Sequence, residues 1–378
     1  MTTATITTTA PPRPSPVRRA IRAWPAWTPY AAAVWSAGYG LLGLLWALGV
    51  DGYPFGPGDL PDAREESILG ATTAAGVGPW IAGLGFAGAV IALTMARLPA
   101  GRARLPARLP ARVARVALAG WGWASAFLLV VLVPDQRVLT TVAYTPLALV
   151  GIPFGWPPMA YGEFVETVLP WPNVNQWICV FGGLLWAATA LAFQRRTASA
   201  CVHCGRRDAH SYGWTSRAGA ARWGRWAAYA AFLMPFAYAV VRWAWALGIP
   251  LTISQEFLDE LHRSGMVWAG AYLASFAAAG GVLTLGLTQR WGVIWPRWVL
   301  GLAGKSVPRA FPLVFATTVT LALASGGSVI LRLTDWSDPA EWAANPLMVL
   351  APWSVLLGAA TLGYHLRTRR ACRACGRG

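Results

Sequence analysis

Long apolar stretches dominate this chain and recur at regular intervals. Eight of them, at residues 28–50, 76–96, 116–133, 176–193, 226–248, 266–288, 310–331 and 345–365, come close to the roughly 20 residues a helix needs to cross a bilayer. Short charged loops separate them. The pattern predicts an all-α polytopic membrane protein with eight transmembrane helices. The stretch 134–175, between the third and fourth spans, is the exception. Its apolar part, 138–156, is interrupted by Pro146, Gly151 and Pro153, and 159–169 has the pattern of a short amphipathic helix carrying Glu163 and Glu166. A re-entrant or interfacial segment on the outer side fits it better than a crossing. Irregular backbone at membrane depth needs cover from protein or water, so the segment could line a cavity. An apolar loop laid over the outer helix ends is the favoured reading, because connecting segments ordinarily run over the surface.

Composition sharpens the class. The chain is 56% hydrophobic and 12% charged, with 23 Trp, whereas soluble domains carry about a quarter charged residues. The net charge of +16 and pI near 10.6 would suit a nucleic-acid binder, but its distribution points to membrane topology instead. Of the fifteen Asp and Glu, all but Asp208 fall in the loops on one side of the eight-span plan. Of the thirty-one Lys and Arg, all but Arg64, Arg137, Arg242, Arg263 and Arg332 fall on the other. By the positive-inside rule the basic side is cytoplasmic. This predicts a multi-pass plasma-membrane protein with both termini in the cytoplasm and no nucleic-acid partner. A crossing by 138–156 would put the Arg-rich linker 195–225 outside. The segment 1–25, Thr/Pro-rich with Arg13, Arg18, Arg19 and Arg22, lacks the apolar core and small-residue cleavage site of a signal peptide and predicts a disordered cytoplasmic lead.

The chain repeats itself. Tyr30, Ala31, Ala32, Tyr39, Trp46, Ala47, Leu48 and Gly49 recur as Tyr229, Ala230, Ala231, Tyr238, Trp245, Ala246, Leu247 and Gly248, eight matches in twenty-one ungapped positions at a constant offset of 199. Loop charge signs recur too. The domain plan is a first four-helix repeat at 26–200, containing the outer insertion 134–175; a cytoplasmic knuckle and linker at 201–225; a second repeat at 226–366; and a C-terminal cytoplasmic knuckle at 367–378. Four spans per repeat make the repeats parallel, as in some transporter folds. The small residues around Gly83/Ala87, Gly85/Ala89 and 277–281 suit close helix packing, and the many Trp near span ends suit interfacial belts. The Tyr-Ala-Ala…Trp-Ala-Leu-Gly pattern of the first span, with the Gln289-Arg290-Trp291-Gly292…Pro296-Arg297-Trp298 loop, resembles a family of small four-span bacterial membrane proteins of unknown function. The resemblance covers each half and implies a four-helix unit used twice. It brings no activity and no catalytic residues, and the cysteine motifs described next are not part of that family's pattern.

Both halves end in Cys-x-x-Cys-Gly: Cys201, Cys204 and Gly205, then Cys372, Cys375 and Gly376. Two thiolates three residues apart can wrap one ion, and Gly permits the turn. Two such knuckles on one face would close a four-cysteine site around structural Zn2+, forming a small zinc-ribbon-like element. A redox dithiol pair is the main rival, although the βαβ pattern around such motifs is missing. His203 and His210 are read as solvated linker residues, since four Cys complete the shell. A site of this kind would tie the last helix to the middle linker, gate movement between halves, or dock a cytoplasmic protein partner.

Other chemistry is sparse. Arg242 is the only full charge well inside a predicted span. Such residues are functional candidates, but Arg242 lies near an outer end and could snorkel. Pro235 predicts a kink that its counterpart Ser36 does not share. No span carries a carboxylate, and no Walker motif, nucleophile elbow or HExxH is present. Glu163/Glu166 and Glu256/Asp259/Glu260 could act as acid–base pairs, but solvated loop faces are the commoner case. The ranking that follows is small-molecule or lipid transport or handling first, a scaffold or regulatory subunit docking through the zinc unit second, and a lipid-active enzyme last. The lipid bilayer is the one certain partner, and self-association stays open.

Overall fold

The computed structural model describes residues 15–98, 109–155, 159–207 and 213–377. Its described residues form thirteen α-helices: α1 (Pro16–Arg22), α2 (Trp24–Ala47), α3 (Ala74–Arg97), α4 (Leu109–Phe127), α5 (Gln136–Gly151), α6 (Tyr161–Val168), α7 (Trp171–Thr197), α8 (Arg217–Ala246), α9 (Gln255–Arg263), α10 (Met266–Thr284), α11 (Ala310–Leu333), α12 (Pro339–Ala344) and α13 (Leu350–Thr368). Nine helices among the described residues are long and apolar enough to cross a membrane. They are the eight anticipated from the sequence, with shifted ends, and the segment Gln136–Phe154. Part of the expected disordered lead, 1–14, lies outside the described residues. Its last turns are helical as α1.

Hydrogen bonds at the helix ends give the direction of six of the long helices, α2, α3, α7, α10, α11 and α13. At one end of the bundle, Arg196 at the close of α7 donates to the carbonyls of Met95 and Ala96 at the close of α3 (2.9 and 3.3 Å). Arg367 at the close of α13 donates to Leu287 O just past α10 (2.8 Å). Arg309, where α11 begins, donates to Thr368 Oγ1 and His365 O. Both cysteine knuckles lie at this end. At the far end, Trp171 at the start of α7 donates to Gly52 O after α2 (2.7 Å), and Arg332 at the close of α11 donates to Glu66 O before α3 (3.0 Å).

Within the first half α2 packs on α3 and α7, and α4 on α7; within the second α8 packs on α10 and α13, and α11 on α13. Small residues permit this closeness. A Cβ on Gly43 would stand 2.7 Å from Ala82 N, so α2 and α3 touch backbone to backbone there. Of the small residues singled out in the sequence, Gly281 meets Pro235, whereas Gly83 faces open space. The Trp residues divide: Trp80 and Trp226 are largely exposed, as a belt requires, but Trp46, Trp186, Trp245 and Trp353 are core. The halves meet where α5 and the π-turn Leu128–Leu132 pack on α11, with Ser328 Oγ donating to Val131 O (2.7 Å).

Residues 136–151 correct the reading of this region as an apolar loop. They form a helix that runs straight through Pro146. In water an interior Pro costs a helix about 3 kcal/mol, but membrane helices tolerate it where neighbouring helices, Ser/Thr side chains or local 3-10 and π adjustments re-satisfy the freed backbone groups. The segment also comes back. Arg137 at the start of α5 bonds Asn173 at the start of α7 (3.2 Å), and Tyr161 of α6 donates to Leu149 O on α5 (3.0 Å). α5 and α6 therefore form a hairpin that leaves and returns at the far end. α6 matches the short amphipathic helix anticipated over 159–169.

Candidate metal centre

α7 ends at Thr197, Ala200 N–H caps it by bonding Arg195 O (2.9 Å), and the chain enters the first knuckle. Cys201 N–H bonds Arg206 O (3.0 Å) and Gly205 N–H bonds Cys201 O (2.7 Å). The second knuckle follows α13 with the same two bonds, Cys372 N–H to Arg377 O (2.8 Å) and Gly376 N–H to Cys372 O (2.7 Å). Gly205 and Gly376 take positive φ, 74° and 70°, a conformation that favours glycine. This is why the motif needs Gly after its second Cys.

The two knuckles face each other. All four Sγ atoms lie within 4.8 Å of one another. Cys201 Sγ is 3.9 Å from Cys372 Sγ, and Cys204 Sγ is 3.6 Å from Cys375 Sγ. Zn–S bonds of about 2.3 Å place tetrahedral sulfurs about 3.8 Å apart, so the spacing fits one ion held by all four thiolates. Four thiols this close cannot all ionise without a cation. Burial raises both thiols of the first knuckle, but N–H donors from Cys204 and His203, with neighbouring thiols, bring Cys201 down to about 6. Burial and the three other thiols push Cys204 up to about 12. A divalent ion removes that conflict.

Sequence reasoning missed the arginines that join the knuckles. Arg206 Nη1 donates to Arg377 O and Arg377 Nη1 to Arg206 O, both at 2.8 Å. The exchange is reciprocal and spans 171 residues of sequence. Arg195 braces the first knuckle by donating to Val202 O and His203 O. These cations also offset the excess negative charge that four thiolates leave on a divalent ion. The signal was present in the sequence, because both motifs continue one residue further, as Cys-x-x-Cys-Gly-Arg. His203 turns its ring to Arg22 O (3.1 Å), away from the sulfurs, and His210 lies outside the described residues. The fifth cysteine, Cys179, is buried in the first half beside Tyr39.

A second polar cluster, also missed, stands at the far end. Arg137 is chelated by two fully buried carboxylates. Its Nη atoms bond Asp59 at 2.6 and 2.9 Å, and its Nε reaches Asp135 at 2.9 Å. Gln176 Nε2 bonds Asp135 from α7 (2.6 Å). Beside this cluster, between the legs of the hairpin, is a cavity of about 440 Å3 with mainly apolar walls from Leu60, Tyr144, Ala148, Met159, Phe164 and Val168.

The other sequence candidates do not converge. Arg242 lies against Gly270 with its guanidinium over Trp245 and Tyr238 (5.0 and 5.9 Å). Glu163 and Glu166 are exposed on α6. On α9, Asp259 accepts from Gln255 and Glu260 pairs with Arg263. No family model, curated protein or solved structure matches the chain, so the resemblance of the halves to a four-span family rests on the residues quoted for it.

Proposed function

We propose that this chain handles a small molecule or lipid within the membrane, and that structural Zn2+ at the cysteine knuckles fixes its two halves to each other. In this reading eight helices cross, as two parallel four-helix repeats, and α5–α6 is an in-folded hairpin on the outer face. The common end of the two knuckles supports an even number of crossings between them. The basic residues gathered there support a cytoplasmic position. The repeat is supported by matched local structure at the offset of 199: Trp46 and Trp245 are both core, and Gly49 and Gly248 both close their helices at positive φ, 87° and 82°. One observation carries the handling function. The hairpin lines an open cavity of about 440 Å3, within the 300–1,000 Å3 common for small-molecule sites, while its α5 leg packs on α11 of the other half.

Lipid retention tests this. Wild-type protein and a variant with the cavity filled, Ala148→Trp, are purified in mild detergent and their bound lipids identified by mass spectrometry. At least one lipid is expected to be retained by wild type and lost from the variant; identical profiles would overturn the reading. A docking role for the zinc unit has one observation in its favour, since the knuckle tips, His203 and Arg373, are exposed. Loss of a co-purifying cytoplasmic protein in Cys372→Ser, with the helices intact, would favour it.

A further inference from the structure

We infer that the loop between α10 and α11, residues 289–309, seats its tip in the bilayer interface at the knuckle end and there selects anionic phospholipid headgroups. That this leaflet is the cytoplasmic one rests on the orientation proposed above. Backbone bonds hold the loop in one shape. Trp295 N–H bonds Lys305 O (2.9 Å), Gly304 N–H bonds Trp295 O (3.0 Å) and Val307 N–H bonds Val293 O (2.8 Å), so two short legs run antiparallel, bridged at Ile294 and Ser306. The root is tied to the bundle, because the Tyr364 hydroxyl on α13 donates to Gly292 O (3.0 Å). The tip is apolar and uncovered. Leu300 is 92% exposed, more than any other large apolar side chain among the described residues, and Trp298 is 79% exposed.

The position of the loop says what covers that tip. It joins two helices of membrane length at one end of the bundle, so a bilayer surface is within its reach. It also leans on the outside of α11. The Trp295 ring lies 5.9 Å from that of Phe311 in the first turn, and Phe311 opens an exposed apolar face that continues through Val314 and Phe315, the i, i+3, i+4 spacing of one helix side. The apolar surface of the loop therefore adjoins the side of α11 that faces lipid. Charge completes the match. Residues 289–309 carry Arg290, Arg297, Lys305 and Arg309 and no Asp or Glu. Arg297 and Lys305 are exposed beside the tip, and neither has an ion-pair partner among the described residues; Lys305 Nζ reaches only Gly301 O (2.8 Å). A Trp at headgroup depth with basic side chains at its flanks suits a bilayer interface, and uncompensated Lys and Arg there attract anionic lipid.

The test places a photoreactive benzophenone side chain at position 300 of the full chain, and in a second sample at position 314 on α11. Each protein is irradiated in nanodiscs of mixed phosphatidylcholine and phosphatidylglycerol, and the adducts are identified by mass spectrometry. Position 300 is expected to form lipid adducts as position 314 does. Only at position 300 is phosphatidylglycerol expected about five-fold above its share of the bilayer, the pull of roughly one basic residue at a charged surface. Arg297→Gln combined with Lys305→Gln is expected to remove that enrichment and leave the adducts. Adducts at 314 without adducts at 300 would put the tip in water and overturn the inference. Enrichment that survives the double variant would overturn the headgroup selection. Irradiation in whole cells tests the rival occupant, since a protein adduct at 300 in place of lipid would assign the tip to a partner. Nanodiscs offer the same lipids on both faces and the hairpin cavity plays no part, so none of these outcomes depends on the orientation or on the handling function.

Discussion

The two ends of this bundle join its halves by opposite means. At the knuckle end each half supplies the same piece: two thiols, a left-handed glycine and an arginine that reaches across. The join is nearly two-fold. At the far end almost everything comes from the first half. Asp59, Asp135, Arg137, Asn173 and Gln176 make one buried network, and the second half adds the α11 face, Ser328 and Arg332. The two knuckles are thus symmetric where a tetrahedral ion would need two equal donors from each side. The far end, where α5 and α6 belong to the first half, has no such symmetry.

Breaking the far end should have the largest effect. Arg137→Ala strands two buried carboxylates, and removing one partner of a buried pair costs about 3–5 kcal/mol. The expected result is loss of detergent-stable protein, read by size-exclusion chromatography. Arg137→Lys keeps the charge but not the fork that reaches both acids, and should recover only part of the stability. Cys201→Ser or Cys372→Ser should act differently, taking bound zinc from one per chain to none by elemental analysis. The helices should stay folded by circular dichroism, because the bundle core is independent of the knuckles. Arg206→Ala and Arg377→Ala should be milder, with zinc retained but held about 10–100-fold more weakly in a chelator competition, the usual cost of losing an outer-shell partner. The reciprocal geometry requires the two variants to weaken binding by similar factors. A large difference between them would break the two-fold comparison.

The knuckle end was legible because its signal is local and repeated. Cys-x-x-Cys-Gly states a turn and a donor pair in five residues, and its second appearance implies the partner. The far end was not, for two reasons. Asp59 and Arg137 are 78 residues apart, and nothing in either segment names the other. Pro146, Gly151 and Pro153 also mark a break by the rules of helices in water, yet α5 runs through the first of them and reaches the second. One clue was available. The basic residues that fell on the acidic side were Arg64, Arg137, Arg242, Arg263 and Arg332, and four of these hold a far-end partner: Asp59 O, the two buried aspartates, Glu260 and Glu66 O. Charges that break a topology rule are good candidates for specific pairing. Helix ends were legible only to within the apolar run. α8 starts at Arg217, well before the run at 226, because Ser216 caps it through Gly219 N (3.0 Å).

The smallest predicted effect concerns Glu66, and it tests whether the far-end carboxylates outweigh the arginines around them. Burial first, and the Asp135 carboxylate second, push the Glu66 carboxyl above the ordinary carboxylate range, while Gln136 N–H, Arg137 and Arg332 pull the other way without cancelling the rise. A raised folded value means that the folded protein holds this proton more tightly than the unfolded chain. Stability from this group is therefore present below the unfolded carboxylate value and is lost as pH rises through the raised one. Glu66→Gln mimics the protonated form. It should be neutral at the acid end, and above the raised value it should increase the thermal midpoint by a small amount. The check is the difference in midpoint between wild type and variant from pH 4 to 8. A difference that grows with pH supports a far end short of positive charge. A variant that loses stability as pH rises would mean that Arg332 and Arg137 together already neutralise the site. Glu66 would then belong to a balanced network, and the two ends would differ in symmetry but not in charge.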